Sequence, residues 1–457
     1  MTEPNSHEGN VSQRGLDNLK PNPLFKNAMR LMANPYHEVD NPTGIVNIGV
    51  AENTLMHADL VERFNKCFNI TSFALTYGAG FGGSPQLKEA LATMYNERFH
   101  PIAPIKKEHI LLMSGASAII DALAYNTCEE GDGVLVGQPL YGGFFFDLQN
   151  RSRTKLLPVP LHGADPFGTA AVAQYEAAIL DARKQGIKVR VLLLCNPHNP
   201  LGQCYTREAL KGYMKLCQQY DLHLISDEIY ALSVFPTKEN PNMTPFTSVL
   251  SIDPKGLISP CRMHAVHGMS KDFGANGLRA GALITQHNET LLKSCTMISM
   301  FPGISSAADL LWRSVLEDKE YLNSFIEANK ERLAASYEKC AKFLRQTGIP
   351  YKPSNAGHFV WVDLRRFMPT ANNSLEAERK LTDKLLNTGV YMATGESFYT
   401  EEYGWYRVTF SVDEKTMMLG LKRLAQALSG EEHGDHDETI PNSLGVQKGE
   451  VSLATKN

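Results

Sequence analysis

The chain lacks any uninterrupted apolar stretch of about 18 residues, so no segment of it is expected to cross a bilayer as a helix. It also lacks a C-x-x-C pair. Its eight cysteines, Cys67, Cys128, Cys195, Cys204, Cys217, Cys261, Cys295 and Cys340, are scattered. That scatter excludes zinc-like spacing and suits thiols packed as small hydrophobes in a reducing compartment. A charge excess is missing too. Forty-five Lys and Arg face 49 Asp and Glu, a dispersed net −4 that gives no reason to expect nucleic acid as a partner. The opening MTEPNSHEGNVSQ has neither the apolar core of a signal peptide nor the Arg-rich amphipathicity of a transit peptide. A cytoplasmic protein with no membrane partner is the expectation.

Apolar side chains are scarce at both ends. Residues 1–20 and 429–457 are expected to be disordered tails, the second acidic. His433, Asp435 and His436 could grip a metal, but a flexible tail preorganises no ligands, and no metal is expected. What remains is ample. Hydrophobic residues make up 43% of 457, a chain roughly three times the usual 150-residue unit and long enough for a large core.

Short, non-alternating runs rich in Val, Leu and Ile fall at Ile110–Met113, Gly133–Gly137, Val189–Cys195, Leu222–Ser226 and Met263–His267. That pattern suits strands buried on both faces of a largely parallel sheet. Helical patterns lie between them, at Ala116–Thr127, Gln174–Lys184 and Thr206–Tyr220. Alternating strands and helices predict an α/β sheet with right-handed crossovers. From about Asp318 the texture changes to a long charged amphipathic helix, then GHFVWVD, another helix, WYRVTF and a final helix at Lys415–Leu428. These predict a second, smaller α+β domain. The expected division is 21–75 as the first part of the small domain, 76–317 as the large domain and 318–428 as the rest of the small one.

Ligands of open α/β sheets bind beyond the carboxyl ends of the strands. Met113 runs into Ser114-Gly115-Ala116-Ser117, either an anion-binding helix start or a helix capped by Ser114 or Ser117. After VLLLC comes Asn196-Pro197-His198-Asn199-Pro200-Leu201-Gly202, a rigid turn able to present an amide. Asp227, in Ser226-Asp227-Glu228-Ile229-Tyr230, ends a buried run and demands a cationic partner or neutralisation. Lys271, in Met269-Ser270-Lys271-Asp272-Phe273-Gly274, is either a surface lysine or a desolvated amine ready for Schiff-base chemistry.

Together and in this order, N-P-x-N-P-x-G, D-E-x-Y and S-K-D-x-G-x-x-G-x-R resemble the pyridoxal-phosphate (PLP) enzymes of the class I/II aminotransferase group, over roughly residues 20–430. The resemblance implies an α/β fold of the fold-type I class, with a mostly parallel sheet flanked by helices and a smaller α+β domain. It implies that Lys271 bonds PLP covalently and moves the substrate's α-proton, and that Asp227 pairs with the ring nitrogen. Asn199 and Tyr230 would meet the ring's phenolic oxygen, and Tyr141 would stack on the ring. Ala116, Ser117, Ser270 and Arg279 resemble the phosphate cup, and Tyr77 the tyrosine that reaches it from a neighbouring subunit of a homodimer. Arg407, in Gly404-Trp405-Tyr406-Arg407, resembles the arginine that clamps an amino-acid substrate's carboxylate.

Gly49-Val50-Ala51-Glu52-Asn53-Thr54-Leu55 is similar to the G-x-A-E-N-x-L signature of the 1-aminocyclopropane-1-carboxylate (ACC) synthase branch. In that branch Glu52 would lie near the substrate; a solvated loop carboxylate is the plainer alternative. Gly-Ala-Gly-Phe-Gly-Gly after Tyr77 and the single tyrosine at Tyr141 depart from the plant enzymes. The chain resembles equally the aminotransferase-like and carbon–sulfur lyase members from fungal secondary metabolism. Transamination of a small or modified amino acid is the expected reaction, with β- or γ-elimination as the alternative and a catalytically inactive PLP-fold binding protein as the non-enzyme alternative.

Overall fold

The strand Val189–Cys195 sends Leu192 and Leu194 into one apolar core and Val191, Leu193 and Cys195 into another on the opposite face. Burial on both faces explains why its sequence does not alternate. The computed structural model, which describes residues 11–19, 23–77, 80–369 and 374–429, places this strand inside a seven-stranded sheet. The spatial order is Ile110–Met113, Gly281–Ile284, Met263–Gly268, His223–Asp227, Val189–Cys195, Gly133–Gly137, Lys155–Val159. All neighbours run parallel except Gly281–Ile284, which is antiparallel to both of its own.

Helices Ala116–Thr127, Ala170–Lys184 and Arg207–Tyr220 cover the faces, close to the spans expected. Thr206 sits just outside the last of these as its cap, its hydroxyl accepting from Ala209 N–H at 3.1 Å. Two strands escaped the apolar-run reading. Lys155–Val159 is a half-exposed edge containing Pro158, and Gly281–Ile284 is only four residues long.

A second assembly forms a four-stranded antiparallel sheet, in the order Ala393–Thr394, Trp405–Thr409, Phe359–Asp363, Tyr351–Lys352. Beside it, Val46–Asn47 pairs in parallel with Val390–Tyr391. Val46, Ile48, Val360, Val390, Val408 and Leu421 share its core. The 28-residue helix Lys319–Gln346 joins the two assemblies: Leu322, Phe325 and Ile326 enter the core of the large sheet, and Leu333, Tyr337 and Leu344 enter the other. Within the expected N-terminal tail, Gln13–Asp17 is a short helix capped by Ser12. His433, Asp435 and His436 lie outside the described residues. Among the described residues no helix is long and apolar enough to cross a membrane, and no three His, Cys, Asp or Glu are grouped to hold a metal ion.

Candidate active site

In the parallel register Cys195 lies beside Asp227, and Asp227 beside Val266, so neighbouring strands end level. Beyond those ends opens a cavity of about 340 Å³. Ala116, Ser117, Tyr141, Asn199, Asp227, Tyr230, Ser270, Lys271 and Arg279 line it, and Arg407 joins them from the small sheet. Ten of the expected site residues therefore meet in one place. The turn bearing Asn199 carries two cis bonds, Asn196–Pro197 and Asn199–Pro200.

The helix start at Ala116 carries no side-chain cap. Ser114 Oγ donates instead to Gly303 O at 2.6 Å, and the Ser117 hydroxyl engages Asp147. The capped-helix alternative is thereby corrected: the helix start has no side-chain cap, and its residues Ala116 and Ser117 line the cavity together with Arg279. Gly115, at φ 86°, makes this approach possible, because a Cβ there would stand 2.6 Å from the Arg279 guanidinium.

Lys271 Nζ donates to Ala51 O at 2.6 Å. Burial first, then the positive fields of Arg407 and Arg279, holds this amine down at about 8, while Glu52 and Asp227 pull the other way. Asp227 is 5% exposed. Its carboxylate accepts one hydrogen bond, from Ile229 N–H at 3.3 Å, and it has no ion-pair partner among the described residues. Burial pushes it up to about 7 against the opposing pull of that bond and of Lys271. Of the two ways to tolerate its burial, neutralisation is the one seen here: no described residue pairs with it as a cation, and its carboxyl is held neutral up to about 7. Arg407 is equally buried, its guanidinium 4.9 Å from the rings of both Phe359 and Phe398. One of its terminal nitrogens donates to Asn199 Oδ1 at 2.8 Å and the other to Gly49 O at 2.6 Å, and Nε is buried without a partner.

Glu52 is placed less centrally. It stands just off the cavity wall, its Oε1 accepting from Asn276 Nδ2 at 2.9 Å, close enough to act on Lys271. Tyr77 is not brought to the cavity by this chain's own fold; it is 98% exposed. Among the cavity residues missed in the sequence, Asp147 and Asn276 carry polar groups of consequence. Asp147, pushed up to about 7 by burial and then by Asp227 and Asp121 against the Ser117 bond, was visible as the single charge in the short helix FFFDLQ. Asn276 was hidden inside a glycine-bearing turn.

The family model described as aminotransferase class I and II matches residues 44–424. The chain belongs to that family. Among its relatives is the probable aminotransferase sirI of Leptosphaeria maculans, 32% identical over 389 residues, 84% of this chain and 91% of the relative. The probable aminotransferase gliI of Aspergillus fumigatus is 32% identical over 84% of this chain and 90% of the relative. The human ACC synthase-like protein 1 is also 32% identical, over 86% and 78%. These fungal and ACC-synthase-like relatives fit the branch named from Glu52. The fold matches an aspartate aminotransferase of Thermus thermophilus with maleate at TM-score 0.71 and 19% identity, covering 91% of this chain and 99% of that one.

In this aminotransferase the two assemblies are joined by direct hydrogen bonds near Tyr141. Leu140 N–H donates to Phe398 O at 2.8 Å, and Glu401 accepts from Leu161 and His162 N–H at 2.7 and 3.1 Å. At Gly142 a Cβ would fall 2.0 Å from Ser397 O, so the approach just after Tyr141 requires glycine.

Proposed function

We propose that the enzyme binds pyridoxal 5′-phosphate in this cavity and transfers the amino group of a small amino acid, with Lys271 as the covalent anchor. The observation that carries the reading is that a depressed lysine and a buried, cation-free aspartate face the same cavity as an uncapped helix N-terminus. Those three features fit an aldehyde, a protonated ring nitrogen and a phosphate. Bound PLP supplies an electron sink for negative charge at a substrate's α-carbon.

The chain's own residues do the rest. Asp227 holds the proton on the ring nitrogen, and Tyr141 stacks on the ring. Asn199 and Tyr230 hydrogen-bond the phenolic oxygen. The N–H groups at Ala116 and Ser117, with Ser270 and the Arg279 fork, hold the phosphate. With its amine near 8, Lys271 takes and returns a proton at Nζ close to neutral pH. Arg407, wedged between two phenylalanines and aimed by Asn199, receives the substrate carboxylate.

A homodimer with shared sites completes the reading. Phe73, Leu75 and Phe81 flank Tyr77 in the chain and are exposed, as are Met297, Met300 and Phe301 elsewhere in it, and exposed apolar side chains of this kind support a second copy that would receive Tyr77. The division at 21–75, 76–317 and 318–428 is kept as a proposal, supported by the two cores and by the helix that links them. Eight free thiols support a cytoplasmic setting.

Elimination is the second reading. It is favoured by Glu52, fixed by Asn276 beside Lys271, where a carboxylate would steer a β- or γ-substituent. The test of the first reading is direct: purified protein given PLP turns yellow, and borohydride reduction leaves the adduct on Lys271. An adduct on another lysine overturns it. Single-turnover products then separate the reactions. Transamination leaves a keto acid and the amine form of the cofactor, whereas elimination releases thiol or ammonia, or forms a cyclopropane amino acid. Glu52→Gln is expected to change that partition if elimination operates.

A further inference from the structure

Asp272 follows Lys271 directly, is 1% exposed and takes no part in the reading above. Its carboxylate collects three hydrogen bonds. Oδ2 meets Leu232 N–H at 2.9 Å and His267 Nε2 at 3.0 Å, and Oδ1 accepts from the Ser233 hydroxyl at 2.6 Å. Ser233 Oγ also meets His358 Nε2, at 3.2 Å. A hydroxyl has one hydrogen and an ionised carboxylate only accepts, so Ser233 donates to Asp272 and accepts from His358. His358 thus carries its hydrogen on Nε2 and a bare lone pair on Nδ1, in accord with a buried Nδ1 that has no partner. This polarity is the reverse of a nucleophilic serine–histidine pair, so Ser233 is not a masked nucleophile.

Each donor belongs to an element that carries a site residue. Leu232 and Ser233 close the turn that begins at Asp227, and Ser233 N–H donates to Tyr230 O at 2.9 Å. His267 lies on the strand leading to Lys271. His358 meets the Tyr230 ring edge-on at 5.2 Å and precedes the strand that pairs Trp361 with Arg407. The anions that act on Lys271 are Glu52 and Asp227. What the structure shows for Asp272 is geometry: three donors from separate stretches of the chain converge on the residue directly after Lys271.

We propose that Asp272 is a positioning residue, fixing the main chain at Lys271 so that Nζ meets the cofactor aldehyde and, through Ser233 and His358, tying Lys271 to Tyr230. The proposal rests on the reading that PLP bonds Lys271.

Its test follows borohydride-trapped adduct at Lys271 against time after PLP is mixed with apo-protein, alongside non-covalent PLP affinity, kcat and KM. Asp272→Ala should slow covalent capture and kcat by about tenfold or more, with PLP affinity and KM within about twofold of the parent. Asp272→Asn should recover most of the rate, because its amide oxygen still accepts from Leu232 N–H and His267 while its amide nitrogen donates to Ser233, once His358 moves its hydrogen from Nε2 to Nδ1 and accepts from the Ser233 hydroxyl. Parental capture in Asp272→Ala overturns the proposal. So does an Asn variant as slow as Ala, which would mean charge rather than position, or a loss of affinity and KM in step with the rate. Should Asp272→Ala not fold, Ser233→Ala decides: about threefold slower capture supports the proposal and a parental rate ends it. A parent protein that forms no Lys271 adduct instead ends the PLP reading.

Discussion

Asn199 Oδ1 accepts a 2.8 Å hydrogen bond from the Arg407 guanidinium, joining residues 208 apart in the chain. The turn at the end of a large-sheet strand thereby aims an arginine carried by the small sheet. Arg407 also lies between two phenylalanine rings, so its plane has little freedom. If Arg407 receives the substrate carboxylate as proposed, its geometry is set before substrate arrives, which reduces the ordering cost of binding.

Arg407→Lys should therefore weaken amino-acid binding while leaving the cofactor spectrum alone. A lysine cannot span Asn199, Gly49 O and a carboxylate at once. The expected loss in kcat/KM is about 2–4 kcal/mol. Unchanged kinetics would show that this arginine serves packing only.

Covalent capture of PLP by apo-protein should rise with pH and level off above about 8, because the free amine is the reactive form and Lys271 is held near that value. An ordinary lysine would keep climbing toward 10. Trapping with borohydride across a pH series measures the midpoint.

Asp227→Asn should lower kcat by about 10²–10³-fold, since a neutral amide cannot hold the proton on the ring nitrogen. Stability should move the other way in apo-protein. The folded Asp227 carboxyl stays protonated up to about 7, whereas the unfolded chain has already ionised near 4. Rising pH across that window therefore costs the parent stability that the Asn variant keeps. The Tm of Asn-variant apo-protein should exceed the parent's by a margin that widens from pH 4 to 7 and then holds.

Mixing a Tyr77→Ala chain with a Lys271→Ala chain should restore part of the activity, because one site of each hybrid dimer would receive both good residues. The motivation is the full exposure of Tyr77. Hybrids that stay inactive, although both parents fold and dimerise, would exclude shared sites.

The cavity-lining residues were legible because strand ends concentrate them: Asp227, Asn199 and Lys271 each follow an apolar run that the sequence displays. Asp147 and Asn276 were not, since each lies outside the recognised motif positions and reaches the cavity only once the chain turns. The strands Lys155–Val159 and Gly281–Ile284 were missed for a related reason. One is a half-exposed edge and the other too short to stand out, and both are fixed by pairing with distant partners rather than by their own composition. Asp272 was visible inside its motif, yet its three donors come from separate stretches that no local spacing connects.

The pairing of Val46–Asn47 with Val390–Tyr391 has a consequence for how the enzyme is made. On the ribosome the early strand emerges long before its partner, and at 5–20 residues per second the wait is roughly twenty seconds to a minute. Throughout that time Val46 and Ile48, both wholly buried in the finished enzyme, have no core to enter. A nascent chain halted before Val390 should hold this segment open to chaperones and proteases, and release beyond Ser429, when the strand Trp405–Thr409 and the helix Glu414–Ser429 that shares its core are also available, should close it.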